Sequence, residues 1–448
     1  MNTVVALSTP RGRGALAVIR LSGPQAIAIA QRLARLDDFE PRRATLTKLR
    51  SVADEEVLDQ VLLTCFPAPH SLTGEDVVEI SCHGSPAIVR RIVDATIELG
   101  AVLAAPGEFT LRALTNGKID LAQAEAIRDL IAAQTDAAVK QAARQLNGEL
   151  SNALDPFKQE LIEVIVLLES ALEFVEDDLP EPQLNQLEET LVSVIGGVTR
   201  LSQSYSAGRL LRDGARVAIT GRPNVGKSSL FNSLVHSERA IVTDVPGTTR
   251  DTLSELIDIG GVPVVVTDTA GLRETSDNVE RLGVERTHRA MGDADLVVVV
   301  LDGSTEVGPE DQELLDRTAD TRRIVVLNKS DLPDFRSSSR CLPAVGAINV
   351  SARTGAGLAN LHSAIVAKLN SDGAEDGSLL ITNARHYDLL RNAKRELEVA
   401  LECLRGRHSE ELVLAPLHNA LKLLGQITGE TTTEDILSEI FATFCIGK

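Results

Sequence analysis

The sequence predicts a multidomain chain of mixed class. It reads as an α+β N-terminal domain, an all-helical domain, and an α/β block with a mostly parallel sheet and helices on both faces. Three observations carry this prediction. At 448 residues the chain exceeds what one compact core holds. Its texture changes along its length from short apolar runs to long helical periods and then to a strand–helix alternation. Helical periodicity also stands on both sides of that alternation, which marks the α/β block as an insertion into one helical domain.

The elements follow in order. Residues 1–118 mix Gly and Pro with the runs VVALSTP, ALAVIRLSG, VLLTCFPAP and DVVEISCHG, which read as strands with a helix or two between them. Asp120 with Gln123 forms a capping-box pattern that opens the helix LAQAEAIRDLIAAQ. Asp155-Pro156 is expected to cap and open a second long helix, and a third is expected from about 183 to 211. RVAITG at 216–221 then starts a βαβ alternation that lasts to about 370. SDGAEDGS at 371–378 is a linker, after which helical periodicity returns from about 383. The expected domains are 1–118, 119–212, 213–370 and 371–448.

Composition narrows the class. Apolar residues make up 43% and aromatics 2%, with no Trp, so the core must be built from Leu, Ile, Val and Ala. The five cysteines, at 65, 82, 341, 403 and 445, are odd in number and never at metal-ligand spacing, which predicts a reduced protein without disulfides or a zinc site. No run of 18 apolar residues occurs, and MNTVVALSTPRGRG lacks the apolar core of a signal peptide. A soluble, cytoplasmic protein with no membrane partner is expected. The net charge of −19 opposes non-specific nucleic-acid binding. Charge is uneven: residues 1–50 carry nine basic and three acidic side chains, and 155–189 carry eleven acidic and one basic. The acidic run reads first as a solvated helix face, with a docking surface for a basic partner as the other reading.

The loops of the α/β block carry its chemistry. GRPNVGKS, Gly221 to Ser228, lies between a strand and the helical SLFNSLV, the context a phosphate-binding loop requires. Its glycines let backbone N–H groups curl round phosphates at a helix N-terminus. Lys227 would reach the outer phosphates, and the Ser228 hydroxyl would bind Mg²⁺. DTAG, Asp268 to Gly271, follows the buried run VPVVVT, which delivers Asp268 beside the metal. NKSD, Asn328 to Asp331, follows IVVL, and the Asp331 carboxylate can accept from the two donors on guanine's edge. SAR, Ser351 to Arg353, follows INV and backs up the base. Between the loop and DTAG lies TDVPGTTRD, where Thr249 is the candidate switch threonine on Mg²⁺ and the γ-phosphate.

The block therefore reads as a Ras-like P-loop G domain that selects GTP over ATP. GTP contacts are expected from Asn224, Val225, Gly226, Lys227, Ser228 and Ser229. Further contacts are expected from Thr243, Asp244, Val245, Pro246, Gly247, Thr248 and Thr249, and from Asp268, Thr269, Ala270 and Gly271. Asn328, Lys329, Ser330, Asp331, Ser351, Ala352 and Arg353 complete the set. One departure stands out. Ras-like enzymes place a water-orienting Gln directly after DTAG's glycine. Here Leu272 stands there, and no arginine finger is recognisable, so another group must complete the site.

GRPNVGKSSLFN, TDVPGTTRD, DTAGLRET and NKSD, flanked by helices and followed by the terminal CIGK, resemble the MnmE (TrmE) family of tRNA-modification GTPases across essentially the whole chain. The resemblance implies a folate-binding N-terminal domain that forms a homodimer, and a 5-formyltetrahydrofolate or related folate as one-carbon source. It also implies an FAD-carrying partner, MnmG, with which the C5 position of a tRNA wobble uridine receives a carboxymethylaminomethyl-type group. It implies G domains that pair face to face, with K⁺ activating hydrolysis. Carried over by position, the K⁺ ligands fall on Asn224, Thr243, Val245 and Thr248, and the water-orienting acid falls on Glu280. The folate contacts fall on Arg20, Glu79, Lys118 and Lys448, and Cys445 is placed at or near the modification chemistry. Without the resemblance, Arg20, Glu79 and Lys118 would read as ordinary surface charges. CIGK itself is a poor prenylation box, because Gly447 and Lys448 replace its aliphatic and terminal positions.

Two other functions compete with the enzyme. A GTP-dependent ribosome-assembly switch shares this kind of G domain, but it calls for a basic RNA-binding module, and the helical flank here is acidic. A nucleotide-gated scaffold without modification chemistry is the third.

Overall fold

The computed structural model describes the chain except residues 1, 39, 174–179, 238–253, 269–291, 337–345, 370–378, 431–436, 438–439, 442–443, 445–446 and 448. It divides into two compact units. One joins Met1–Arg128, Leu146–Asn152 and Gly425–Lys448, and the other joins Asp129–Gln145 and Ala153–Leu424.

The first unit is built on a six-stranded sheet. Its strands are β1 (Val4–Leu7), β2 (Leu16–Ser22), β3 (Thr45–Arg50), β4 (Val57–Phe66), β5 (Val77–His83) and β6 (Val102–Leu103). Their order is β3-β4-β5-β2-β1-β6, antiparallel except for the β1–β6 pair. Period-two alternation sorts the side chains. Val5, Ile19, Leu21, Val61, Leu63, Val78 and Ile80 share one core with Ile29 and Leu33 of α1 (Ala26–Ala34) and Ile92 of α2 (Pro86–Glu98). On the opposite face, Val4 and Ala6 cluster with Phe109 of α3 (Glu108–Thr115). The expected capping box opens α4 (Leu121–Ala132): Asp120 N–H donates to Gln123 Oε1 at 3.0 Å, and Gln123 N–H donates to Asp120 Oδ1 at 2.8 Å. Leu121 and Ala124 of α4 pack with Phe441 and Phe444 near the C-terminus.

The second unit holds helices and the α/β block. Its helical part takes in all but the last residue of α5 (Asp136–Leu146), α6 (Glu149–Glu173) from Ala153 onward, α7 (Glu181–Gln203) and α8 (Tyr205–Asp213). Two expectations are corrected here. Asp155-Pro156 does not open a helix: α6 begins at Glu149 and Pro156 lies inside it. The buried stripe Leu150, Leu154, Leu161, Val164, Ile165 and Leu168 runs straight through the proline, so packing carries the helix past one missing donor. Asp155 pairs with Lys158 at 2.8 Å and does not cap. The long helix expected over 183–211 is two helices broken at Ser204, whose hydroxyl donates to the Leu201 carbonyl at 2.7 Å and accepts from the Ile381 N–H at 3.0 Å.

The α/β block has a second six-stranded sheet, with β7 (Ala215–Thr220), β8 (Ser254–Ile259), β9 (Val262–Asp268), β10 (Leu296–Asp302), β11 (Arg323–Asn328) and β12 (Ile348–Asn349). The order is β12-β11-β10-β7-β9-β8, parallel except for the β8–β9 hairpin at the edge. The described helices are α9 (Lys227–Ser237), α10 (Pro309–Arg317) and α11 (Leu358–Leu369). Val298 and Val300 of β10 join one core with Leu361 and Ile365 of α11, while Val297, Val299 and Leu301 join another with Leu315 of α10. A strand buried on both faces explains the unbroken run LVVVVL.

The chain then returns to helices in α12 (Ala384–Arg405), capped by Asn383, and α13 (Glu410–Thr428). The ways out of and back into the helical part lie side by side. A Cβ on Gly208 of α8 would stand 2.2 Å from the Ile381 carbonyl oxygen, and Tyr205 stacks on Tyr387 with ring centroids 4.4 Å apart. The described cysteines Cys65, Cys82 and Cys403 are free thiols. No helix among the described residues is long and apolar enough to cross a membrane.

Candidate nucleotide-binding site

A parallel sheet brings the C-terminal ends of its strands to one edge, and the loops that follow form a crevice there. β7 runs into the loop 221–226, β9 ends at Asp268, β10 ends at Asp302, and β11 ends at Asn328. Each described motif of the block therefore lands on the same edge.

The loop itself is shaped for close approach. Asn224 takes a left-handed φ of 63° and Gly226 one of 95°. A Cβ on Gly226 would stand 2.2 Å from Asn328 Nδ2, so only glycine fits between the loop and the NKSD segment. Asn328 ties three loops together. Its Nδ2 donates to the Val225 carbonyl at 2.9 Å, and its Oδ1 accepts from the Ala352 N–H at 3.0 Å. Lys227, only 7% exposed, donates from Nζ to the Gly221 and Arg222 carbonyls at 2.9 and 2.7 Å. The ammonium is thus held at the mouth of the loop by its own backbone.

Ser228 Oγ donates to Oδ2 of the buried Asp268 at 2.6 Å. A hydroxyl and a carboxylate from two different motifs meeting in this way form a hard oxygen donor pair, which fits Mg²⁺. On the base side, Ser351 Oγ donates to Asp331 Oδ1 at 2.7 Å, and this bond holds the Asp331 carboxyl below the usual carboxylate range. Lys329 Nζ lies 2.6 Å from Asp302 Oδ2. Burial pushes the Asp302 carboxyl up, but the bonds from Lys329 and Ser304 outweigh it, and the group ionises below its ordinary value. Asp302 was not singled out by the sequence, although its place at the end of an apolar strand matches that of Asp268.

Two family models match the chain. Residues 3–118 match the family described as GTP-binding protein TrmE N-terminus, and 121–445 match the MnmE helical domain. The chain belongs to the MnmE family. Proteins named tRNA modification GTPase MnmE from Koribacter versatilis (strain Ellin345) and Aquifex aeolicus (strain VF5) are each 43% identical to it. The first match covers 100% of this chain and 99% of the relative, and the second 99% of each. The relative from Chloroflexus aurantiacus (strain ATCC 29366 / DSM 635 / J-10-fl) is 44% identical, with 100% of each chain covered. Among solved structures, a point variant of Aquifex aeolicus Era bound to GDP·AlF4⁻ is 24% identical with a TM-score of 0.29, over 41% of this chain and 67% of that one.

Of the residues expected to contact folate, Arg20 and Glu79 fall on the sheet face that carries Phe109. Arg20 and Glu79 are directly opposed in the β2–β5 register, with Nη2–Oε1 at 2.7 Å and Nε–Oε1 at 3.0 Å. The Arg20 guanidinium carbon stands 5.8 Å from the Phe109 ring centroid. Alongside lies a network that the sequence did not reveal. Buried Arg112 bridges Glu75 and Glu108, each at 2.8 Å, and Ser22 bonds to Thr73 and Glu75. Lys118 is exposed and runs over the turn at Gly74, with Cε 3.3 Å from where a Gly74 Cβ would stand. The structure does not bring Lys118 into a described contact with Arg20 or Glu79.

The tail is partly described. Ser8 Oγ donates to the Gly447 carbonyl at 2.9 Å, and a Cβ on Gly447 (φ 96°) would stand 2.1 Å from the Leu7 carbonyl oxygen. Glycine is required at that point of CIGK. Cys445 and Lys448 lie outside the described residues, as do Thr243, Asp244, Val245, Pro246, Gly247, Thr248, Thr249, Thr269, Ala270, Gly271, Leu272, Glu280 and the linker 371–378. Burial, with Asp59 nearby, pushes Cys82 up to about 11, and burial also raises Cys65.

Proposed function

We propose that this chain hydrolyses GTP in order to gate a folate-dependent modification of the tRNA wobble uridine. That it is a tRNA-modifying GTPase follows from its family. The finer steps are inferred from its residues. The observation that carries the reading is the convergence of the loop 221–226, Ser228, Asp268, Asn328, Asp331 and Ser351 on one sheet edge.

GTP would lie with its phosphates in the loop, its base on Asp331 and the SAR segment, and Mg²⁺ on Ser228 and Thr249. Asn224, Thr243, Val245 and Thr248 would supply oxygens to K⁺. The Asn224 amide and the switch-loop oxygens are hard donors, which suits that cation where no finger arginine is found. Glu280 would orient the attacking water in place of the Gln that Leu272 displaces. A 5-formyltetrahydrofolate or related folate would bind the Arg20–Glu79 face with Lys118 and Lys448, setting its one-carbon unit near Cys445. The charged pair matches a ligand with both donors and carboxylates.

The four-part division 1–118, 119–212, 213–370 and 371–448 assigns these jobs to separate parts. The first would also form the homodimer, an arrangement supported by the exposed Leu16, Leu46 and Leu62 of its sheet. MnmG would bring the FAD, tRNA would bind the complex of the two, and both would work in the cytoplasm.

The test is turnover of GTP and ATP in KCl and in NaCl, with 5-formyltetrahydrofolate titrated into the same protein. GTP alone should turn over, faster in KCl, and the folate should bind. Glu280→Ala should lower kcat by roughly 10²-fold, typical of losing a group that positions the nucleophile, with GTP binding kept. Comparable ATP turnover, or equal rates in the two salts, would overturn the corresponding part.

A further inference from the structure

Arg222 occupies the second position of the phosphate loop and is gripped at both ends. Its carbonyl accepts from Lys227 Nζ at 2.7 Å, and its Nε lies 2.6 Å from Asp311 Oδ1. Asp311 is 2% exposed and belongs to the first turn of α10. Its two oxygens do different jobs, because Oδ2 accepts from the Gly308 N–H at 3.0 Å and so caps α10. The guanidinium also lies against the helix start, where a Cβ on Gly308 would stand 3.4 Å from Nη1. A cation at the positive end of a helix is unfavourable. A carboxylate buried to this extent needs a partner. The ion pair answers both through charge, although Nε–H and Oδ1 are not aligned as a hydrogen bond.

We propose that Asp311, acting through Arg222, is a positioning residue for the outer turn of the phosphate loop, and so for the potassium-binding oxygen of Asn224. Asn224 follows Arg222 by two residues and is held in the left-handed region, a conformation that surrounding structure must enforce on a non-glycine residue. The inner turn has its own supports in Asn328 and Lys227. Loss of the brace therefore loosens the cation ligand and leaves the nucleotide cradle in place. This inference rests on the K⁺ reading given above.

The informative variant is Asp311→Asn, which removes the charge while its amide oxygen still accepts from Gly308 N–H and keeps α10 capped. Turnover would be followed across a KCl titration at constant ionic strength. A fluorescent GDP would report nucleotide affinity. The gain in Tm of the GTP-analogue-bound protein in KCl over NaCl would report cation binding without catalysis. The expected result is a rise of about 10-fold in the KCl concentration for half-maximal turnover, the order seen when a group supporting a metal ligand is lost. The KCl gain in Tm should vanish, GDP affinity should stay within about twofold, and Asp311→Glu should restore the wild-type curve. Superimposable titrations for a K⁺-responsive wild type and Asp311→Asn would overturn the brace alone. A wild type indifferent to KCl would overturn the K⁺ reading and the brace together. Parallel loss of GDP affinity and K⁺ response would reduce Asp311 to a structural residue and overturn the proposal.

Discussion

The two sheets have six strands each and opposite logic. In the α/β block the strands run parallel, so the candidate residues emerge at strand ends and gather along an edge. In the N-terminal domain the strands run mostly antiparallel, and the candidate pair Arg20–Glu79 sits mid-strand on a face. An edge site is made of loops, each a contiguous stretch of sequence. A face site is made of single residues brought together by register. The first can be rebuilt loop by loop, whereas the second depends on every strand between its members.

This contrast can be tested from both sides. The largest effect should come from the edge. Asp331→Asn should lower GTP affinity by roughly 10³-fold, as expected where a site built to hydrogen-bond a ligand loses its acceptor, and should shift preference to xanthosine nucleotide. Folate binding should not change. Competition binding with the two nucleotides measures the swap, and retained GTP preference would sever Asp331 from base recognition. On the face, Arg20→Met should weaken 5-formyltetrahydrofolate binding by about 10-fold while GTP turnover holds, since a charge-assisted contact is lost and its partner Glu79 is left alone. Calorimetry decides it, and a fall in both activities would mean that face and edge are not separate sites.

The smallest effect is a shift in pH. The Ser351 hydroxyl depresses the Asp331 carboxyl, so the ionised acceptor persists below the ordinary carboxylate range, and affinity is lost only as pH falls through that lowered value. Ser351→Ala returns the carboxyl towards its usual value near 4, so the fall in GDP affinity should begin at higher pH than in the wild type. Titrations that coincide would show that Ser351 does not tune the acceptor.

The same contrast explains what the sequence revealed. The loops of the edge site were legible because each is a short motif behind an apolar strand, and the parallel sheet follows from those strands. The brace between Arg222 and Asp311 was not, since neither residue belongs to a spacing that chemistry demands. Arg20 and Glu79, 59 residues apart, became a pair only through the β2–β5 register. Pro156 opens no helix because the buried stripe on both sides of it outweighs a single backbone signal. A serine inside a helical pattern marks no break in sequence, and Ser204 makes one because its hydroxyl serves two backbone segments.

Those two segments bear on how the protein folds. α7 and α12 lie against each other, with Arg405 Nη2 2.7 Å from Glu188 Oε1, yet the whole α/β block is threaded between them. Closing an unfolded loop of that length carries an entropy cost that grows with the logarithm of its size. A folded block whose ends already meet at Ser204 and Ile381 replaces that loop with a link of a few residues. Folding of the block first would therefore bring α7 and α12 within reach of each other at little further loss of chain entropy.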